Sequence, residues 1–248
     1  MRVEGESAFV LHARPWRETS LMVELLTRDH GRVAVVVRGL TSPKRHPLRA
    51  AMQPLQFIRL DYLPRGEMAR LLQAESIDAA PQLTGDRLMA AFYVHELLLK
   101  LTPRNDAAPA VFALYSRVRG ELSARPAGTN TGNAELSWSL RRFERDLLDA
   151  LGVGLPWDLT DDGEQVQSGL RYRLDPEVGP VLETRRVPDG VDGDALRALV
   201  ADRMPSSLQL GQLRVALRHV LEAHLSSAGL RCWGLLDELA RVGPGRQG

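Results

Sequence analysis

The period of the hydrophobic pattern changes once along the chain, near Pro81, and this change limits the possible folds more than any other feature. Before Pro81, apolar residues occur in short alternating or β-branched runs, which is the pattern of strands. Five such runs cover residues 7–14, 20–27, 32–38, 55–61 and 68–75. Between the second and third runs, Asp29-His30-Gly31 has the composition of a tight hairpin turn. Five short strands in one N-terminal unit indicate a small barrel.

After Pro81, apolar residues recur every three or four positions, which is the spacing of helices. Predicted helices cover residues 86–101, 109–122, 134–151, 193–203, 207–226 and 232–242. The stretch 153–190 is rich in glycine and polar residues, and its apolar segments at 170–174 and 180–183 predict a small hairpin. The sequence therefore predicts an α+β protein of several domains, with a barrel over 1–80 and a mainly α-helical domain over 81–248 that carries a β-hairpin insertion at 153–190.

Charge is divided unevenly, although the whole chain carries only +1, from 32 Lys and Arg against 31 Asp and Glu. Residues 1–70 hold twelve basic and seven acidic side chains, a net +5, so residues 71–248 carry −4. The excess is densest from Arg28 to Arg59, where Asp29 is the one acidic residue. A basic barrel is typical of proteins that bind polyanions such as nucleic acids, and the same charges also suit an ordinary solvated surface.

No catalytic or metal-binding constellation can be assembled from the motifs. His95-Glu96 begins like a zinc-protease motif, but Leu99 stands where the second histidine is required. Cys232 is the single cysteine, which excludes an intrachain disulfide and every zinc site that needs two thiolates. No apolar run reaches the roughly 18 residues of a membrane-spanning helix. We therefore expect a soluble cytoplasmic protein that is not an enzyme and that uses no cofactor and no metal.

Several segments carry a resemblance to a known family. In the predicted barrel they are residues 8–21 (AFVLHARPWRETSL), 27–33 (TRDHGRV), Arg38-Gly39, Gln53-Pro54 and 65–67 (RGE). In the helical part they are residues 93–98 (YVHELL), 140–144 (LRRFE), Leu151-Gly152 and Tyr172-Arg173. In order and spacing these segments resemble the bacterial RecO family of recombination and repair mediators.

The resemblance implies an N-terminal OB fold and a DNA-binding role in the cytoplasm, at the nucleoid. The implied activities are binding of single- and double-stranded DNA, annealing of complementary strands and, with RecR, loading of RecA onto DNA coated by single-strand-binding protein. Some family members bind zinc through four cysteines in the region corresponding to 153–190, and because this segment has no cysteine, zinc is predicted absent. An alternative is an OB-fold RNA-binding or translation-associated adaptor, which competition between RNA and DNA would distinguish.

The predicted DNA-binding residues are basic side chains of the barrel. They are Arg32, Arg38, Lys44, Arg45 and Arg49, followed by Arg14 and Arg17. Aromatic residues are few there, and Phe9 and Phe57 lie in apolar runs that favour a core position. Binding is therefore expected to depend on phosphate contacts and little on base identity. Trp16 is either a platform on which bases stack or a cap on the barrel.

A second group of predicted site residues lies in the helical domain. The helix predicted over 134–151 carries Arg141, Arg142 and Arg145. Arg141 and Arg145 are one turn apart and share a face beside the apolar stripe, and such a guanidinium pair suits an acidic peptide ending in an aromatic residue with a free carboxylate. The resemblance implies the C-terminal tail of single-strand-binding protein as that peptide, with Arg141 receiving its carboxylate. The alternative is that these arginines pair with Glu144, Asp146 or solvent.

A further arginine pair is predicted one helical turn apart in the helix over 207–226. Arg214 and Arg218 are candidates for a secondary DNA-binding surface on the helical domain.

Overall fold

The computed structural model describes residues 2–39, 48–124, 131–185, 187–226 and 229–234. Its first five strands close into a barrel. The strands are β1 Val3–Trp16, β2 Ser20–Thr27, β3 Gly31–Arg38, β4 Phe57–Leu63 and β5 Ala69–Ser76, with the short helix α1 Leu48–Ala51 between β3 and β4. Their order around the barrel is β1-β2-β3-β5-β4. Antiparallel pairing joins all neighbours except β3 and β5, which are parallel. The predicted barrel is confirmed.

Alternation of side chains divides each strand between a core face and an outer face. On β3, Val33, Val35 and Val37 point into the barrel core, together with Val23 and Leu25 of β2. Because the period of a strand is two, the even-numbered residues of β3 lie on the outside.

The predicted hairpin turn between β2 and β3 is also present. Gly31 has φ +67, a left-handed conformation that glycine adopts at little cost, and the Thr27 hydroxyl donates to its carbonyl oxygen at 2.7 Å. Space also requires glycine, since a Cβ on Gly31 would lie 1.7 Å from the carbonyl oxygen of Asp106.

The helices confirm the second half of the prediction. They are α2 Gly85–Leu101, α3 Pro109–Ser123, α4 Thr131–Ala150, α5 Gly193–Val200 and α6 Ser207–His224. The predicted hairpin forms from β6 Arg171–Asp175 and β7 Gly179–Leu182, and an unpredicted strand β8 of two residues, Val191–Asp192, adds to β6. The helix predicted over 232–242 is described only through Gly234.

By its internal packing the chain divides into two compact units. One unit contains Met1–Gly85 with Leu97–Arg119, and the other contains Asp86–Glu96 with Gly120–Gly248. Residues Leu97–Arg119 therefore group with the barrel, because aromatic side chains on the outside of the barrel need apolar neighbours.

That aromatic cluster joins β1 and β4 to α3. The ring of Phe9 stacks on Phe57 at 4.6 Å and lies 4.9 Å from the rings of Phe112 and Tyr115. Burial raises the pKa of the Tyr115 hydroxyl. Phe9 and Phe57 are thus held in a packed cluster, which is the core role that their apolar runs favoured.

The described residues contain neither a membrane-spanning helix nor a metal-binding cluster. No described helix is both long and apolar enough to cross a bilayer. Over the same residues, no group of three or more His, Cys, Asp or Glu side chains is arranged to hold a metal ion.

Candidate nucleic-acid interface and peptide pocket

The outer face of β3 carries two of the predicted arginines, and their surroundings differ. Arg32 donates through Nε and Nη2 to the carbonyl oxygen of Thr102, at 3.1 and 2.9 Å, and through Nη1 to Glu24 at 2.9 Å. Arg104 also contacts Glu24. Only 12% of the Arg32 side chain is exposed, so its charge is already paired with a buried carboxylate.

Arg38, at the other end of β3, lies in an open environment. Ser20 on β2 pairs with Trp16 of β1 on one side and with Arg38 of β3 on the other. Paired residues project from the same face of a sheet, and adjacent strands lie about 4.8 Å apart, so Trp16 and Arg38 flank Ser20 at roughly 10 Å from each other. Arg38 is exposed and Trp16 is half-buried. The Arg14 guanidinium lies 6.0 Å from the Trp16 ring.

The next row of the same outer face ends in an arginine that was not among the predicted residues. Arg14 pairs with Met22, Met22 with Val36, and Val36 with Arg70 of β5. Both arginines at the ends of this row are exposed. Arg70 stands between the core residues Ala69 and Leu71, so alternation along β5 was the signal that could have identified it.

Arg17 extends this surface into the turn between β1 and β2, where it is exposed at φ +55. We call the surface formed by Arg14, Trp16, Arg17, Arg38 and Arg70 the arginine face. Arg49 is exposed in α1 and is not part of these rows. Lys44 and Arg45 lie outside the described residues.

Exposed aromatic surface on the barrel is scarce. Tyr62 is buried, and burial raises its pKa to about 12. Phe9 and Phe57 are engaged in the aromatic cluster. Within the described part of the barrel, Trp16 is therefore the aromatic side chain best placed to stack on a base, with arginines on both sides of it.

The second unit, Asp86–Glu96 with Gly120–Gly248, is called the helical unit. It contains a cavity of about 630 Å³ between α2, α4 and α6. Its apolar lining comes from Met89, Ala90, Leu136, Leu140, Val215 and Trp233. We call this cavity the peptide pocket, because its size and lining suit a large side chain.

The floor of the peptide pocket is a buried polar cluster. Arg141 is 4% exposed and donates through Nη2 to Oε1 of the fully buried Glu144, and the Tyr93 hydroxyl donates to the same oxygen at 2.7 Å. Burial raises the pKa of Glu144, although Arg141 and Tyr93 oppose that shift. Arg141 Nε and Glu144 Oε2 have no hydrogen-bond partner among the described residues. The floor is therefore polar, and its hydrogen bonding among the described residues is incomplete.

Two further arginines line the pocket, and they are the pair predicted as a secondary DNA surface. Arg214 is exposed, and Arg218 places its guanidinium 4.5 Å from the Trp233 ring while donating to Glu222 at 3.0 Å. The structure thus brings Arg214 and Arg218 together with Arg141 around one cavity.

Arg142 and Arg145 do not line that cavity. Arg142 donates to Asp202 at 3.0 Å. Arg145 donates to Asp146 at 2.7 Å and to the carbonyl oxygen of Leu199. Leu199 belongs to the last turn of α5, the negative end of the helix dipole, which favours a nearby cation. The pairing of Arg145 with Asp146, like that of Arg141 with Glu144, follows the alternative left open by the sequence.

Together these features define a class of protein: an OB-like barrel with an exposed basic face, continued in the same chain by a helical part with its own pocket. The family model "Recombination protein O N terminal" matches residues 1–80, and "Recombination protein O C terminal" matches residues 82–163.

Full-length relatives agree with the family models. The DNA repair protein RecO of Xanthomonas campestris pv. campestris is 47% identical over 248 residues, covering 98% of this chain and 100% of its own length. That of Xanthomonas oryzae pv. oryzae is 47% identical over 246 residues, covering 97% and 99%. That of Stenotrophomonas maltophilia is 44% identical over 244 residues, covering 97% and 99%. The chain belongs to the RecO family of DNA repair proteins.

Proposed function

We propose that this protein is a DNA-binding recombination mediator that acts without a catalytic site. It binds single- and double-stranded DNA, anneals complementary strands and, with RecR, helps to load RecA onto DNA coated by single-strand-binding protein. This work takes place in the cytoplasm, at the nucleoid. The observation that carries the proposal is the arginine face, a cluster of exposed cations around one accessible indole on a barrel of the RecO family.

Phosphate contacts supply most of the proposed affinity. OB barrels bind single strands on the face formed by their second and third strands and on adjoining loops, where the arginine face lies. Arg14, Arg17, Arg38 and Arg70 together would give log K against log salt a slope of about −2.8, at roughly −0.7 per contact. Stacking on Trp16 adds about 1–3 kcal/mol with little preference among bases. Such a surface fits a protein that must act on any sequence.

Strand annealing is the assay for this proposal. Complementary strands are coated with single-strand-binding protein, with or without its acidic C-terminal tail, and annealing is followed by fluorescence. R38A should slow annealing, whereas R59A should not, because Arg59 is paired with Glu75 on β4 and β5, outside the arginine face. Equal annealing by R38A and wild type would contradict the assignment. Competition with RNA of the same length tests the adaptor alternative, which predicts stronger binding to RNA.

We further propose that the peptide pocket takes the acidic tail of single-strand-binding protein. A terminal aromatic ring would enter the apolar lining, with its carboxylate toward Arg141 and the preceding acidic residues near Arg214 and Arg218. Charge-assisted bonds to arginine and ring burial favour such a ligand together.

A labelled acidic peptide ending in phenylalanine with a free carboxylate tests this site by fluorescence anisotropy. Losing a buried charge partner costs about 2–5 kcal/mol, so R141A should weaken binding by about 30-fold or more. R214A tests an exposed pocket cation without disturbing the floor. R142A is the matched control, since Arg142 neighbours Arg141 in α4 and pairs with Asp202. Unchanged affinity in both R141A and R214A would refute the assignment.

A further inference from the structure

The described segment near the end of the chain forms part of the wall of the peptide pocket. Residues 229–234, which we call the strap, bury the side chains of Leu230 and Trp233. Trp233 lines the cavity, and its ring lies against the Arg218 guanidinium at 4.5 Å. The pocket therefore has its full lining only when the strap lies against the helices.

The main chain of the strap is held by one carboxylate of α2. Glu96 accepts the backbone N–H of Arg231 at 2.7 Å through Oε1 and that of Cys232 at 2.9 Å through Oε2. Residues 231–234 are helical, so these N–H groups belong to a first turn that has no acceptors of its own. A carboxylate at a helix N-terminus satisfies those donors and also suits the positive end of the helix dipole.

The Trp233 side chain of the strap is held by Tyr93, which lies about one turn before Glu96 on α2. The Trp233 indole hydrogen-bonds to the Tyr93 hydroxyl, which donates to Glu144 at 2.7 Å, and Glu144 accepts from Arg141. Tyr93 and Glu96 are three residues apart, so they share a face of α2. One helix face thus fixes both the backbone of the strap and a hydrogen-bonded chain that runs from Trp233 to the floor.

We propose that docking of the strap assembles the peptide pocket, with Glu96 as the positioning residue for Trp233. Occupation of the pocket and docking of the strap then stabilise each other. Glu96 is absent from the lining of the cavity, so it acts through Trp233. The mutual stabilisation follows from linkage, because a ligand that contacts the docked wall favours the docked state by its differential affinity. The choice of an acidic peptide as occupant rests on the proposed function.

The single cysteine of the chain reports strap docking. Burial and a hydrogen bond to Glu96 raise the pKa of the Cys232 thiol from 9.0 to about 12. Because the thiolate is the reactive form, a docked strap should react more slowly with 5,5′-dithiobis(2-nitrobenzoic acid) than an undocked one. No other thiol in the sequence contributes to the signal.

The experiment measures thiol reactivity and peptide affinity in the full chain. E96Q keeps the size of the side chain but weakens the cap, and E135Q is the control, because Glu135 is exposed on α4 outside the cavity lining. In E96Q we expect Cys232 to react at least tenfold faster and the acidic peptide ending in phenylalanine to bind at least fivefold more weakly, with E135Q matching wild type. Saturating peptide should slow the Cys232 reaction in wild type.

Each contrary result has a definite meaning. An unchanged Cys232 rate in folded E96Q overturns the role of Glu96, and a faster rate with unchanged peptide affinity overturns the role of the strap in the pocket. If wild type binds no peptide, the proposal that the peptide pocket takes an acidic tail fails. A faster Cys232 reaction in E96Q would then still support the role of Glu96 in holding the strap. If circular dichroism shows that E96Q is unfolded, W233F replaces it as the test, because this variant keeps an aromatic ring but loses the indole donor. W233F should weaken peptide binding, and unchanged binding would overturn the inference.

Discussion

Two arginines on one strand should respond in opposite ways to the same substitution. Arg32 and Arg38 both lie on the outer face of β3, and both belong to the basic stretch of the sequence. Arg38 is exposed, whereas Arg32 is bound to Glu24 and to the Thr102 carbonyl. We therefore expect R38A to weaken DNA binding with little loss of stability, and R32A to destabilise the barrel with little direct effect on DNA.

The magnitudes follow from the contacts. With four phosphate contacts, affinity for single strands should fall about 50-fold between 50 and 200 mM salt, and with three about 18-fold, at roughly −0.7 per contact. R38A should thus reduce the slope of log K against log salt by about 0.7. Removing Arg32 leaves the buried Glu24 with Arg104 as a cationic partner, and breaking such a pair costs about 3 kcal/mol.

Fluorescence anisotropy with a labelled oligonucleotide, repeated across that salt range, gives the slopes, and urea unfolding followed by circular dichroism gives the stabilities. The two variants serve as controls for each other, since each removes one arginine from the same strand. Equal slopes in wild type and R38A would refute the electrostatic role of the arginine face. A reduced slope in fully stable R32A would show instead that the Arg32–Glu24 pair opens to bind phosphate.

Three further predictions concern stability. G31A should cost more than about 3 kcal/mol in urea unfolding, because the new Cβ would overlap neighbouring backbone. G66A is the control: Gly66 has φ +58 and lies in open space, so this change should cost only the roughly 1–2 kcal/mol of a left-handed residue. Equal losses in the two variants would contradict this reasoning. The backbone N–H of Gly5 and the Arg2 guanidinium lower the pKa of Asp61 below 3.8. The ionised Asp61 carboxylate therefore stabilises the fold above pH 3.8, and this stabilisation is lost as pH falls through the lowered pKa. D61N should make the fall in melting temperature from pH 5 downward less steep. S206A removes the capping box of α6 and should cost about 1 kcal/mol in the same assay, and no loss would mean that the cap is replaced by water.

Local patterns were sufficient to predict the barrel and the helices. Alternation along β2 and β3 and the turn at Gly31 depend on neighbouring residues, and they predicted the hairpin that the register shows. The parallel pairing of β3 with β5 and the two-residue strand β8 leave no such local signal, since each depends on residues far apart in sequence. The packing of Phe112 on Phe9 is equally non-local and leaves no local signal in the sequence.

The same distinction explains the candidate sites. Arg32 and Arg38 are alike in sequence, and what separates them is Glu24 on the neighbouring strand and Thr102, which is 70 residues away. Spacing along α4 correctly places Arg141 and Arg145 one turn apart, but the carbonyl of Leu199 at the end of α5 draws Arg145 away from the pocket. A helical wheel gives the direction of a side chain, and it contains no information about which acceptor that side chain meets.

Charge distribution bears on the proposed partners of the two arginine groups. The unit that contains the barrel holds sixteen basic and ten acidic side chains, a net +6, so the helical unit carries −5 of the total +1. A long polyanion such as DNA experiences the summed field over about 10 Å at 0.1 M salt, and the helical unit repels it on that scale. A short acidic peptide would be held by close contacts instead. Arg214 and Arg218, inside an acidic unit but lining one pocket with Arg141, are therefore better placed to bind a peptide than to extend a DNA surface.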